Sequence, residues 1–275
     1  MRDLSAIKSF DATKNKLPLF AVVMGSSGGG KSSLLGTLPG KTLAIYFRSD
    51  LSGPSFSAST SGSDIVPFLV DPTDMTADEA VAELYEQLRN PNLVKTFKNI
   101  TVDGLPALED LLNRTEACLA AGITKAGKVD TFGKDRFVQE KLSELVRLLV
   151  DQRSHGVNIA VTTLARIADD GDGTTQITPK LRGFNTVEAL LPSFATILLV
   201  VRNAQDRSHF LDMAAKIFKK KADQTGKEVA VASFSTRIEG LRVEQTPPKI
   251  SPDLKKVLAL QHRELKYTAP EADVD

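Results

Sequence analysis

A mostly parallel, twisted α/β sheet with helices on both faces is the fold class that this sequence predicts. Three observations predict it. Apolar runs of strand length recur at 17–24, 42–47, 65–70, 99–103, 158–163 and 195–201, separated by segments with helical spacing of apolar residues. One junction, Gly25-Ser26-Ser27-Gly28-Gly29-Gly30-Lys31-Ser32, is glycine-rich and stands between an apolar run and the start of a helix. Asp50, Asp103, Thr162 and Thr163 lie at or just past the ends of three of the runs, where parallel sheets bind their ligands.

Residues 1–16 are polar and read as a loosely docked arm ahead of a core at 17–240. After strand one and the glycine junction, a first helix ends at Pro39-Gly40, and Thr42 to Phe47 form strand two. The Ser/Gly-rich stretch 49–63 reads as a loop. Ile65 to Val70 is a third apolar run, in which Pro67 counts against a central strand. Thr76-x-x-Glu79 is a capping box that opens a helix with Ala80, Leu84 and Leu88 on one face, closed by Asn90-Pro91.

Asn99 to Asp103 is a short strand ending in an acid. One helix is expected from Leu105 to Ala121, with Leu108, Leu111, Leu112 and Leu119 on its apolar side. Gly122 to Gly133 reads as a loop with Lys125, Lys128 and Lys134 in or beside it. A helix over 134–153 follows, with Val138, Leu142, Leu145 and Leu149 on one face, ended by His155-Gly156. Asn158 to Thr163 is a strand and 165–185 a long polar loop. Ala195 to Val201 is an almost wholly apolar strand, as expected where both faces are covered. A helix capped by Ser208 is expected to run to about Lys221, and Val229 to Ile238 to form an edge strand. Residues 241–275 form a C-terminal helix, opened by Ser251-Pro252, and a tail; Ala269 to Asp275 read as disordered.

The junction fits G-x-x-x-x-G-K-[ST], a Walker A phosphate loop, at every defined position. Glycines let the backbone wrap an anion and aim successive N–H groups at it, and a following helix start adds its own. Lys31 is expected to reach the β- and γ-phosphates and Ser32 to ligate Mg²⁺, so Gly25, Ser26, Ser27, Gly28, Gly29, Gly30, Lys31, Ser32 and Ser33 form the expected nucleotide-binding set. Asp103, at the end of an apolar strand, is the candidate second acid for Mg²⁺. Asp50 is the candidate for positioning the attacking water, with Glu109 and Asp110 as alternatives. Thr162 or Thr163 is placed to sense the γ-phosphate.

Composition narrows the remaining classes. The 275 residues carry 35 Lys and Arg against 34 Asp and Glu, so a net charge of +1 gives no global attraction to nucleic acid and any basic surface is local. A single cysteine, Cys118, excludes a disulfide framework within the chain and reads as a small core residue. No apolar run approaches the ~18 residues of a membrane span, and the first residues lack the apolar core of a signal peptide, so a soluble intracellular protein is expected.

The order of phosphate loop, helix ending Thr37-Leu38-Pro39-Gly40, strand two, strand–helix insert at 65–89, Asp103, long helix and polar-ended strand resembles the RecA-like ATPases of bacteriophages. The resemblance is to the compact recombination-associated group that works with single-strand annealing proteins, and it covers about residues 15–240. Two positions depart from that group's pattern. Asp50 stands where a glutamate is usual, and Asp103-Gly104 where Asp-Ser is usual.

The resemblance implies ATP and Mg²⁺ as cofactors and ATP hydrolysis in recombination or replication. It implies a homo-oligomer in which a neighbour donates an arginine, Arg237 first and Arg202 second. It also implies a single-strand annealing or single-strand binding protein as partner, and the host-cell cytoplasm as location for a phage-encoded chain. The loop after the sensor strand, with Arg166, Lys180 and Arg182, is where such proteins meet single-stranded DNA. Lys216, Lys219, Lys220 and Lys221 form a second basic cluster. Two other classes fit the same loop: a P-loop kinase, and a nucleotide-binding assembly protein that does not hydrolyse.

Overall fold

The computed structural model describes residues 16–47, 64–124, 126–169, 175–181, 190–203, 208–213, 216–222 and 228–265. Its centre is a parallel sheet. β1 (Phe20–Gly25) lies between β5 (Asn158–Asp169) and β7 (Thr196–Arg202). Beyond β5 come β4 (Asn99–Asp103), β2 (Thr42–Phe47) and the edge strand β3 (Ile65–Val70), all parallel. Beyond β7 the sheet turns antiparallel with β8 (His209–Asp212) and β11 (Lys249–Ile250). The α/β class and the mostly parallel sheet agree with the sequence reading. Pro67 lies on β3, which has β2 as its one partner, where a missing N–H is tolerated.

Side-chain alternation along the central strands builds two cores, one on each face. Val22 of β1, Val102 of β4 and Val161 of β5 pack under α2 (Ala77–Arg89), α4 (Leu105–Leu112) and α6 (Thr131–Ser154), through Leu84, Leu108 and Leu142. Ala21, Val23, Ala160 and Leu198 face the other way. They pack on Leu34 and Leu35 of α1 (Lys31–Leu35) and on Leu254, Val257 and Leu260 of α7 (Leu254–Gln261). The strands therefore carry near-continuous apolar sequence because both faces are covered.

The capping box forms as read. Thr76 Oγ1 accepts from the Glu79 N–H at 3.2 Å, and Glu79 accepts from the Thr76 N–H at 2.7 Å. The Thr76 N–H first, and then the Thr76 hydroxyl, which donates to the same carboxylate at 2.9 Å, hold the Glu79 carboxyl below its ordinary pKa. Cys118 is buried, and burial pushes its thiol above the ordinary value.

Four expectations need correction. The helix expected over 105–121 is two, because Thr115 turns the chain and caps α5 (Glu116–Ala121) by accepting from the Cys118 N–H at 3.2 Å; Leu119 is left exposed. A one-turn α3 (Leu93–Thr96) follows Asn90-Pro91. The loop expected at 165–185 is partly sheet, since β5 runs on to Asp169 and pairs antiparallel with β6 (Thr175–Pro179). The helix expected from Ser208 is instead β8 and β9 (Lys216–Ala222), and β9 pairs with β10 (Glu228–Ser235). There, cross-strand pairing overrides the helical spacing of the lysines. The last helix is capped by Asp253, whose carboxylate accepts from the Lys255 N–H at 2.8 Å, not by Ser251. The expected arm at 1–16 lies outside the described residues apart from Lys16. So do the loop at 49–63, apart from its flank at 64, and the tail at 269–275.

A buried amide ladder ties the starts of four parallel strands. The Leu19 N–H donates to Asn158 Oδ1 at 2.9 Å, Asn158 Nδ2 to Asn99 Oδ1 at 3.0 Å, and Asn99 Nδ2 to Thr42 Oγ1 at 2.9 Å. Asn99 is the middle rung and fully buried. Replacing it with leucine orphans polar atoms on both neighbours. Asn99→Leu is expected to cost about 2–4 kcal/mol, at 1–3 kcal/mol per unsatisfied buried group, read as a lower urea midpoint at unchanged m.

Candidate functional site

The carboxyl ends of the central strands surround a cavity of about 570 Å³ that holds most of the glycine loop on one side. Glycine is demanded here by close approach as much as by torsion. A Cβ on Gly25 would stand 2.9 Å from the Val200 carbonyl oxygen, and one on Gly29 2.9 Å from that of Ser26. Gly30 has φ +82°, which side chains rarely adopt. The Gly29 N–H donates to Ser26 O at 3.1 Å and closes the turn.

Lys31 lies at the start of α1, and its ammonium donates back to the loop, to Ser26 O at 2.7 Å and Gly25 O at 3.2 Å. Ser27, Gly28, Gly29, Gly30, Ser32 and Ser33 border the cavity with it, while Gly25 and Ser26 form the base of the turn. With a helix of five residues, the loop's own N–H groups carry more of any anion binding than the dipole of α1 does.

Asp103 ends β4 and is buried at 2% exposure on the cavity wall. It shares its sheet face with α1, because Ile100 and Val102 point to the opposite core. Thr162 of β5 stands beside it. The Thr162 hydroxyl accepts from the Gly104 N–H at 2.8 Å, so its proton is committed to Asp103 Oδ1, 2.6 Å away. This two-bond chain fixes the carboxylate's orientation across the strand boundary. Thr162, one of the two threonines expected near a γ-phosphate, thus orients the acid at the cavity wall. The Thr163 hydroxyl oxygen, also at the cavity, is buried and has no hydrogen-bond partner among the described residues.

Other expected residues fall in different places. Asp110 borders the cavity from α4, whereas Glu109 is buried away from it. Asp50 and Arg182 lie outside the described residues, as do the side chains of Arg166 on β5 and of Lys219 and Lys220 on β9. Lys180 is exposed, and its N–H donates to Leu164 O at 2.7 Å, which holds the chain just past β6 beside the cavity-lining Leu164. Arg237 is at the opposite end of β7 from the loop, donating from Nη2 to Phe194 O at 2.7 Å and from Nε to Ala195 O at 3.3 Å. Arg202 is exposed at the cavity end of β7.

One polar side chain of the cavity escaped the sequence reading. His209 of β8 borders the cavity with its ring against Gly30. Only the pairing of β8 with β7 brings it there, and no local motif marks it.

The cavity passes a size and donor test for a nucleotide. Its volume lies within the ~300–1,000 Å³ of small-molecule sites, and it presents a lysine, hydroxyls, a carboxylate and loop N–H groups. Among the described residues no group of three or more His, Cys, Asp or Glu could hold a metal by itself. Mg²⁺ commonly takes one or two carboxylates plus substrate phosphates, a set that Asp103 and Ser32 can begin. Among the described residues no helix is long and apolar enough to cross a membrane. No protein-family model matches the chain, and no curated protein matches it.

The Thr162 bridge predicts a sharp contrast. Thr162→Val removes a donor from Asp103 and an acceptor from the Gly104 N–H, and is expected to cost about 2 kcal/mol or more in urea unfolding. Thr162→Ser keeps both bonds and is expected to stay within about 1 kcal/mol of the parent.

Proposed function

We propose that this chain binds Mg²⁺–ATP and hydrolyses it, as a RecA-like protein that acts on single-stranded DNA in recombination or replication. The observation that carries the nucleotide part is the complete phosphate loop at Gly25–Ser32, opening on one cavity with Asp103 and Ser32. Lys31 exchanges its loop carbonyls for β- and γ-phosphate oxygens. Ser32 and Asp103 hold Mg²⁺, Asp103 as Thr162 orients it. The bound ion neutralises charge developing on the β- and γ-oxygens. The Thr163 hydroxyl is available to the γ-phosphate, and Asp50 or Asp110 positions water.

The DNA part draws on Lys180. Its backbone is bonded to Leu164, one residue past Thr163, so a change at the γ-phosphate is a few bonds from a basic exposed segment. Arg166, Arg182, Lys219 and Lys220 extend that contact. A neighbouring copy supplies Arg237, which lies too far along β7 to serve its own loop. A single-strand annealing or single-strand binding protein is the expected partner and the host-cell cytoplasm the expected location.

Two measurements test this. In equilibrium binding, Lys31→Ala is expected to weaken Mg²⁺–ATP by roughly 10- to 100-fold, the worth of charge-assisted bonds, and Asp103→Asn to abolish the benefit of added Mg²⁺. Unchanged affinity in a folded Lys31→Ala protein overturns the nucleotide site.

Fluorescence anisotropy with a labelled oligonucleotide tests the DNA part. With a non-hydrolysable ATP analogue, affinity is expected to fall with salt at about −0.7 log units per log unit for each phosphate contacted. Lys180→Ala is expected to flatten that slope by about one such contact. No binding at low salt removes the DNA part and leaves the assembly or kinase reading.

A further inference from the structure

We propose that His209 is a nucleotide-binding residue that donates from Nε2–H to the α-phosphate–ribose end of the ligand. The inference rests on the nucleotide reading of the cavity and assigns a role that the phosphate-loop motif does not contain.

Strand register places the residue. Gly25 of β1 pairs with Val200 of β7, Val200 with Leu211 of β8, and Arg202 with His209. His209 thus stands one pleat beyond Leu211 and on the same sheet face. Leu211 packs into the core beneath α1, so that face is the one carrying the glycine loop. The contact is close. A Cβ added to Gly30 would stand 3.2 Å from His209 Cδ2 and 3.5 Å from Cγ and Nε2. The imidazole therefore occupies the space that a side chain at Gly30 would fill.

His209 Nε2 is buried and has no hydrogen-bond partner among the described residues. An imidazole nitrogen taken from water without a partner costs free energy, and such groups in native proteins call for an explanation. Thr163, a residue that also borders the cavity, carries a second buried oxygen without a hydrogen-bond partner among the described residues. The two flank the loop from opposite sides, Thr163 on β5 and His209 on β8, with β1 and β7 between them. His209 is the one of the two that stands on the loop's own sheet face, against Gly30.

Strand order assigns the ends. Asp103 and Thr163 lie on the β4–β5 flank, which makes that flank the metal and γ-phosphate end. Lys31 at the centre takes the β-phosphate. A nucleoside triphosphate is longer than the loop, and His209 lines the same cavity from the β8 side, beside Gly30. The α-phosphate and sugar therefore run toward β8, where Nε2–H meets an oxygen.

The test separates the hydrogen bond from the packing of the ring. His209→Phe keeps a ring against Gly30 and removes the N–H, while His209→Gln restores an amide N–H near the position of Nε2. Calorimetric affinities are measured for Mg²⁺–ATP, Mg²⁺–ADP and Mg²⁺–pyrophosphate, with thermal unfolding as a check on the fold. Pyrophosphate fills the β and γ positions alone. His209→Phe is expected to weaken ATP and ADP alike, by about tenfold, and to leave pyrophosphate within about twofold. His209→Gln is expected to recover most of the loss.

Parent-like nucleotide affinity in His209→Phe overturns the proposal. So does an equal loss for pyrophosphate, which would make the ring a prop for the loop. A parent protein that binds neither nucleotide nor pyrophosphate refutes the reading of the cavity itself, a different outcome from either.

Discussion

The site depends on the register of parallel strands, and the register is held from the far end of the sheet. Parallel strands slide against one another with little penalty from hydrogen bonding alone, and a one-residue slip exchanges the two faces. Here slip is opposed twice. Val22 and its neighbours Ala21 and Val23 belong to different cores, so displacement would bury each against the wrong helices. The amide ladder through Asn158, Asn99 and Thr42 locks the strand starts with bonds that a slipped pairing cannot make. With the starts fixed, the tips are level: Met24 pairs with Thr163, Gly25 with Leu164, and Tyr46 with Asp103. The cavity forms where those tips end.

The second dependence is steric. The loop is pressed against β7 at Gly25 and folded on itself at Gly29, closely enough that a methyl group would collide with a carbonyl oxygen in either place. Thr162 then does for the acid what the glycines do for the loop. A buried carboxylate can rotate, and a hydroxyl whose own acceptor role is filled by Gly104 has one remaining direction in which to donate. Loop and acid come from strands separated by β5; β7 shapes the loop and Thr162 of β5 orients the acid.

Local signals in the sequence were readable. The phosphate loop, the Thr76 capping box, the leucine spacing of α2 and α6 and the edge position of Pro67 are set by neighbours within one or two turns. Signals that compete at short range were misread. Thr115 sits inside an apolar helical pattern that its cap interrupts, and the Ser251-Pro252 pair offers a start signal two residues ahead of Asp253, the residue that caps the helix. Non-local facts left no trace. The lysines of β9 carry helical spacing, yet that segment pairs with β10. The Thr162–Asp103 bond joins residues 59 apart in sequence, and His209 reaches Gly30 only through two strand pairings. Thr162 and Thr163, alike in the sequence, differ because successive strand residues face opposite ways: Thr162 reaches Asp103, and the Thr163 hydroxyl has no partner among the described residues.

The resting position of Lys31 bears on which anions the loop admits. Its ammonium is already shared between two carbonyl oxygens of the same loop. An incoming anion must displace those bonds, so the net gain is the difference between two sets of partners rather than the strength of the new one. A singly charged ion such as chloride offers little beyond what the carbonyls supply. A polyphosphate offers several charged oxygens at once, to the ammonium and to the loop N–H groups together. On the proposed nucleotide reading, these resting bonds set a threshold: a small anion gains little by displacing the carbonyls, and a ligand of high charge density gains most.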